Sequence, residues 1–332
     1  MALFFLVLTL EAKFHILEGE LSSPAHIKLA CLAALGGIIV PAILYYFFTS
    51  SNPAHLKGWA IPIATDTAFV LGILSFFKNK VPLNARLFVV ALSIIDDIIA
   101  VAILAVFYTD TIQITPLLTA IILISLLAIT NMANVERLSI YLLIGAGLWL
   151  SLVEAGIHGT IAGVLVGLFI PAHIKKTNSK PVSPLKKLEH FLHPSVALVV
   201  LPVFAFLNSG ISFKDLGFND FYSPVTLGIF SGLFVGKQLG ILIFSSFAIA
   251  IGICKLPNGI TWKTYYGIST LCGIGFTFSL FIGLLSFEEG SLINQMKLGV
   301  ILGSFASTVG GIALLLTAPL LPHAQPGKHH NG

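Results

Sequence analysis

Apolar runs about as long as a membrane is thick, laid end to end between short turns, dominate this chain. A bilayer core of about 30 Å takes about 20 apolar residues as a helix. Read between breakers, about eleven such segments appear: residues 1–17, 28–49, 59–77, 84–108, 115–133, 138–152, 156–172, 191–208, 225–251, 264–287 and 294–319. The breakers are Ser51-Asn52-Pro53, Thr115-Pro116, Pro181 with Pro184, and Pro257-Asn258-Gly259. Of the 332 residues, 56% are hydrophobic and 10% charged. A soluble domain carries about 25% charged residues, so these charges are too few to cover a soluble surface. Mean hydropathy is +0.98. The sequence predicts an all-α polytopic membrane protein, one transmembrane domain over residues 1–320 with a disordered cytoplasmic tail at 321–332.

The sidedness of the charges orients the segments. One alternating set of loops and ends holds fourteen lysines and arginines, among them Lys13, Lys78, Lys80, Arg86, Arg137 and Lys187. The opposite set holds only Lys57, Lys214 and Lys297, with Lys237 inside an apolar run. Lysine-rich loops stay cytoplasmic, which places the N-terminus outside and the C-terminus inside. The start has no basic region and no small-residue cleavage site, so no signal peptide is expected. Cys31, Cys254 and Cys272 lie in apolar segments at spacings that suggest neither a disulfide framework nor a metal site.

Four ionisable residues stand where charge is costly: Asp66 in the third segment, Asp96 and Asp97 in the fourth, and Lys237 in the ninth. Each costs at least about 2.5–3.5 kcal/mol at mid-membrane, so they must face the bundle interior or water. A structural ion pair would explain one carboxylate and one lysine. The excess of carboxylates needs a proton or a cation. Adjacent carboxylates repel and do not ionise independently, which makes Asp96–Asp97 a place where H⁺ and a small cation can exchange.

Two segments look broken. Pro62, Thr65 and Thr67 surround Asp66 in the third, and Gly273-Ile274-Gly275 interrupts the tenth. Proline and glycine at membrane depth are tolerated where backbone lines a cavity. Each broken segment has one full segment before it and one after. Residues 28–108 and 225–319 therefore share a layout of helix, broken helix, helix, with opposite senses across the membrane, as an inverted repeat requires. The small-residue rows Gly159-Gly163-Gly167 and Gly232-Gly236-Gly240 suit close helix approach, and the second also makes room for the Lys237 stem.

At these motifs the chain resembles the NhaA-type sodium/proton antiporter family. The resemblance rests on Gly58–Phe69, on Phe88–Asp97, on Leu188-Glu189-His190-Phe191-Leu192-His193-Pro194, on Val235–Gly240 and on Cys272–Thr277, in that order along nearly the whole chain. Such antiporters are themselves a type example of inverted repeats with broken helices, so agreement on that layout belongs to the resemblance. It implies that Asp97 is the principal cation ligand, and that Asp96 is its partner and pairs with Lys237 when no sodium is bound. It implies that Asp66 offsets helix ends at the crossing and that Thr65 lends sodium an oxygen. Glu189, His190, His193, Lys186, Lys187 and Glu11 would tune the response to pH, since imidazoles as a class titrate near neutrality.

Two departures stand out. The chain begins at the middle of the family's second helix, so the first helix and the extracellular β-hairpin that pairs family members are not in it. That puts a homodimer in question. After Glu11-Ala12-Lys13, where the family usually has Arg-Glu, this chain has Phe14-His15.

The function implied is pH-regulated, electrogenic exchange of inward H⁺ for outward Na⁺ or Li⁺ in the inner membrane of the cell. Neither an organic cofactor nor a nucleic-acid partner is expected; the partners are Na⁺, Li⁺, H⁺ and the lipid bilayer. Three alternatives remain. An intramembrane aspartyl protease would need Gly-x-Gly-Asp, but Phe276 follows Gly275. A sodium-coupled organic-solute carrier would share the fold, and a truncated, inactive antiporter would share the residues.

Overall fold

A computed structural model describes residues 1–17, 24–108, 113–174, 183–211, 217–257, 259–288 and 290–319. The tail at 321–332 lies outside the described residues, as do Lys175, Lys176, Lys180, Lys214 and Lys328. The helices are α1 Ala2–Leu17, α2 Pro24–Thr49, α3 Thr67–Phe76, α4 Leu83–Phe107, α5 Ile114–Met132, α6 Leu138–Glu154 and α7 Thr160–Phe169. They continue as α8 Pro184–Ser209, α9 Phe218–Ala250, α10 Trp262–Leu271, α11 Phe276–Ser286 and α12 Gly290–Leu316.

Every apolar segment read from the sequence contains helix, though the segment at 59–77 is α-helical only over Thr67–Phe76 and that at 156–172 only over Thr160–Phe169. Among the described residues seven helices are long and apolar enough to cross a membrane, counting the stretch Pro53–Ser75 as one, and the pair α10 and α11, bent by 42°, makes an eighth. Three segments are shorter: α1 has 16 residues, α6 has 17 and α7 has 10. Local chemistry shortens α7. Gly156, at φ +82°, closes the turn after α6, where Ile157 N–H donates to the Leu152 carbonyl at 2.9 Å. At the other end Ile170 is extended because Pro171 comes directly after it.

The intramembrane charges are buried in a largely apolar core, and the outer surface is apolar too. Phe47, Phe76, Leu143 and Phe206 are largely exposed, while Asp66, Asp96, Asp97 and Lys237 are buried. In water an apolar surface of that extent would be a liability; against acyl chains it is a solvated surface. The chain is a multi-pass membrane protein.

Small residues set the closest helix contacts. A Cβ on Gly163 or Gly167 would strike α1 at Ala2 or Thr9, so that row lets α7 lie against α1. Gly240 and Gly36 face each other where α9 crosses α2, and Gly232 and Gly236 lie on Pro62 and Pro41. The second row therefore serves helix approach; the Lys237 stem instead runs past Gly37, where an added Cβ would sit 3.5 Å from it.

Basic side chains close several helix C-termini. Lys13 Nζ donates to the carbonyls of Leu168 at 2.6 Å and Ile170 at 2.7 Å. Arg86 donates to the Leu74 carbonyl at 3.3 Å, and Lys80 to that of Leu316. Each cation meets the negative end of a helix dipole, where carbonyls of the last turn can accept a further hydrogen bond.

Candidate ion-binding site

The stretch before α3 cannot remain helical. Pro62 offers no N–H, and the chain passes through a 3₁₀ turn at Ile61–Ile63 into extended backbone at Ala64, ψ 148°. Helix resumes at Thr67, with Asp66 as its N-cap. The second break falls between α10 and α11 at Cys272–Gly275. Space as well as flexibility selects glycine there. A Cβ on Gly273 would strike the Leu233 carbonyl, and one on Gly275 would strike the Ser279 hydroxyl.

The two breaks lie against each other. Asp66 N–H donates to the Ile274 carbonyl at 2.6 Å. The Asp66 carboxylate accepts from the Thr277 N–H at 3.1 Å and from the Thr277 hydroxyl. Ser279 Oγ donates to the Ile61 carbonyl at 2.7 Å. One carboxylate therefore stands at the N-termini of both α3 and α11, where orphaned N–H groups and the positive dipole end favour negative charge.

Lys237 serves the opposite polarity. It is fully buried, and its ammonium lies 2.7 Å from Asp96 Oδ2 while also donating to the Ile63 carbonyl, at the end of the 3₁₀ turn. A π turn at Gly232–Gly236 immediately precedes it. A π turn holds one residue more than an α turn and so rotates the next stretch of helix about its axis; such turns gather at functional sites. Thr65 Oγ1 lies 3.0 Å from both Asp96 Oδ2 and the Cys272 carbonyl. Both are acceptors and the hydroxyl has one proton, so it serves one at a time.

Asp96 and Asp97 are adjacent on α4 and hence about 100° apart around it. Asp96 turns to Lys237 and Thr65. Asp97 turns to a cavity of about 330 Å³, and no hydrogen bond or ion pair to it is found among the described residues. Thr65, Asp66, Ser93 and Thr277 share the wall of that cavity with Asp97, and Glu11 and His193 also line it. Among the described residues no three His, Cys, Asp or Glu side chains gather around one point. A cation here would draw on hydroxyls, carbonyls or water besides a carboxylate.

The sequence-predicted regulatory residues divide. Glu11 and His193 line the cavity, and Glu189 lies 3.6 Å from His193. Lys186 stands over the Phe14 ring at 4.6 Å, and Phe14 packs on His15 at 5.4 Å, so this chain's replacement of the usual Arg-Glu brings a cation–π contact. His190 and Lys187 are exposed. Sequence reasoning gave no role to Thr277, Ser279 or Ser93, because hydroxyls are common in apolar helices and no local pattern distinguishes these three.

Comparison with known proteins bears on the same residues. The family profile described as Na+/H+ antiporter 1 matches residues 1–315. The chain belongs to the Na+/H+ antiporter 1 family. Its similar relatives include Na(+)/H(+) antiporter NhaA 3 of Saccharophagus degradans, 45% identical over 96% of this chain and 81% of that protein. The Na(+)/H(+) antiporter NhaA of Caulobacter vibrioides is 44% identical over 99% of this chain and 80% of its own length. That of Rickettsia massiliae is 46% identical over 95% and 78%. The match to this antiporter family runs through both breaks, α4 and Lys237.

Proposed function

We propose that this chain is a pH-regulated, electrogenic antiporter that exports Na⁺ or Li⁺ in exchange for H⁺ at the Asp96–Asp97 pair. One observation carries the reading. Asp96 is matched by Lys237, whereas Asp97 faces a cavity with no cation partner among the described residues. An unmatched carboxylate in an apolar interior must hold a proton or a cation. Both bind the same oxygens, so one leaves when the other arrives. Asp66 and Lys237 hold the broken helix ends in place, and Thr65 lends an oxygen beside Asp96. Helix, broken helix, helix over 28–108 and 225–319 forms the inverted repeat whose rearrangement alternates access.

Regulation by pH is assigned to the cavity mouth, where His193 stands near Glu189 and opens onto the same space as Glu11. The lysine-rich side is cytoplasmic, the C-terminus lies there, and the membrane is the inner membrane of the cell.

The test is proton flux in everted membrane vesicles holding a pH gradient. Na⁺ and Li⁺ should dissipate the gradient and K⁺ should not. Asp97→Asn, inserted and folded, should abolish the response. Near-normal exchange by that variant would remove Asp97 as the principal ligand.

A further inference from the structure

Resting on the antiport reading, we propose that the Ser93 hydroxyl is a ligand of the transported cation beside Asp97. Ser93 lies four residues before Asp97 on α4, so both side chains share one face of the helix. It is 1% exposed, and it lines the same cavity as Asp97.

Its oxygen is uncommitted. A hydroxyl in a helix usually gives its proton to the carbonyl four residues earlier. Thr9, Thr49, Ser125, Thr130 and Ser269 all do so here, at 2.7–2.9 Å. Ser93 does not, and its Oγ has no hydrogen-bond partner among the described residues. The other buried hydroxyls that line this cavity are in use: Thr65 between Asp96 and the Cys272 carbonyl, Thr277 on Asp66. Leaving a buried hydroxyl without a partner is costly, and something must answer it during the cycle.

A small hard cation matches that demand. It takes oxygen ligands, several at once, and the cavity offers an unmatched carboxylate at Asp97. A hydroxyl oxygen one helical turn away adds a neutral ligand without adding charge, and it needs no backbone movement to do so. Because the oxygen contributes to holding the ion and not to holding the proton, its removal should weaken cation binding and leave proton release intact.

Ser93→Ala, Ser93→Cys and Ser93→Thr, assayed beside the unaltered chain in everted vesicles, test the assignment. Na⁺ and Li⁺ are titrated at one alkaline pH. Ser93→Ala should raise the half-saturating Na⁺ concentration by about tenfold, equivalent to about 1.4 kcal/mol of binding. Ser93→Cys, nearly isosteric but with soft sulfur for hard oxygen, should match it. Ser93→Thr keeps the oxygen and should stay within about twofold. Maximal rates should hold in all three. Unchanged half-saturation for both ions in Ser93→Ala overturns the proposal. Equal loss in all three variants with lowered melting temperatures also overturns it, by assigning the effect to packing. If the unaltered chain shows no Na⁺- or Li⁺-driven proton movement, the antiport reading fails and takes this ligand with it. If that chain responds and Ser93→Ala equals it, the ligand assignment alone fails.

Discussion

Lys237 divides its donors between a carboxylate and a helix-end carbonyl, and this double attachment decides how its variants behave. Removing one member of a buried pair typically costs about 3–5 kcal/mol, because the other charge is left unanswered. Lys237→Ala should therefore melt well below the unaltered protein in detergent. Lys237→Arg keeps the charge and scarcely deprotonates, so it should recover much of that stability. Current recordings on the same preparations then separate two roles: an Arg variant with unaltered currents and pH dependence would leave Lys237 a structural part outside the proton pathway. Asp97 carries the complementary prediction. If proton and sodium compete for it, lowering pH raises its proton occupancy and weakens apparent sodium affinity. With one competing proton the half-saturating Na⁺ concentration should rise by up to about tenfold per pH unit on the acid side. A half-saturation value that stays flat over several pH units would rule the competition out.

At the level of elements, the broken helices concentrate the constraints. Gly273 has no room for a Cβ, since the obstacle is the Leu233 carbonyl, a backbone atom that cannot swing aside. Gly273→Ala should cost about 1–3 kcal/mol, the usual range for overpacking. Gly72, on α3, has open space around it. Gly72→Ala should be neutral or stabilise by about 0.5–1 kcal/mol, as glycine inside a helix is normally a loss. Thermal melts of the two variants check the contrast; equal melting temperatures would mean the break yields more easily than its packing implies. Both breaks were legible in the sequence because proline and paired glycines are rare enough at membrane depth to mark them. So was the need to offset buried charge, since Asp66, Asp96, Asp97 and Lys237 stand out in apolar runs. The division of labour between Asp96 and Asp97 was not legible. Neighbours in sequence have nearly the same spacing from everything else, and only the position of Lys237 and the cavity tells their faces apart. The π turn before Lys237 was equally hidden, because an extra residue in a helical turn leaves the apolar pattern almost unchanged. The contact of Lys186 with Phe14 joins residues 172 apart and arises from packing alone.

At the scale of the whole molecule, the arrangement requires that Pro53–Phe76 cross the membrane despite its break. A re-entrant loop, dipping in and returning to one side, would also bring Asp66 to mid-membrane. The two arrangements differ in where the ends of the segment lie. Lys57 precedes the break and Lys78 comes after α3, and both are exposed. Lys57 belongs to the lysine-poor set of loops and Lys78 to the lysine-rich set, so positive-inside sorting places them on opposite faces. Lys80 donates to the Leu316 carbonyl, so the end of α3 lies beside the end of α12. Single cysteines at the two positions, in a chain whose three native cysteines are replaced, turn this into a measurement. A membrane-impermeant maleimide should label Lys57→Cys in intact cells and Lys78→Cys only in everted vesicles. Labelling of both from the same face would make the segment re-entrant and reverse the sense of every span after it. The alternating-access scheme would then lose one of the two crossing helices on which it depends.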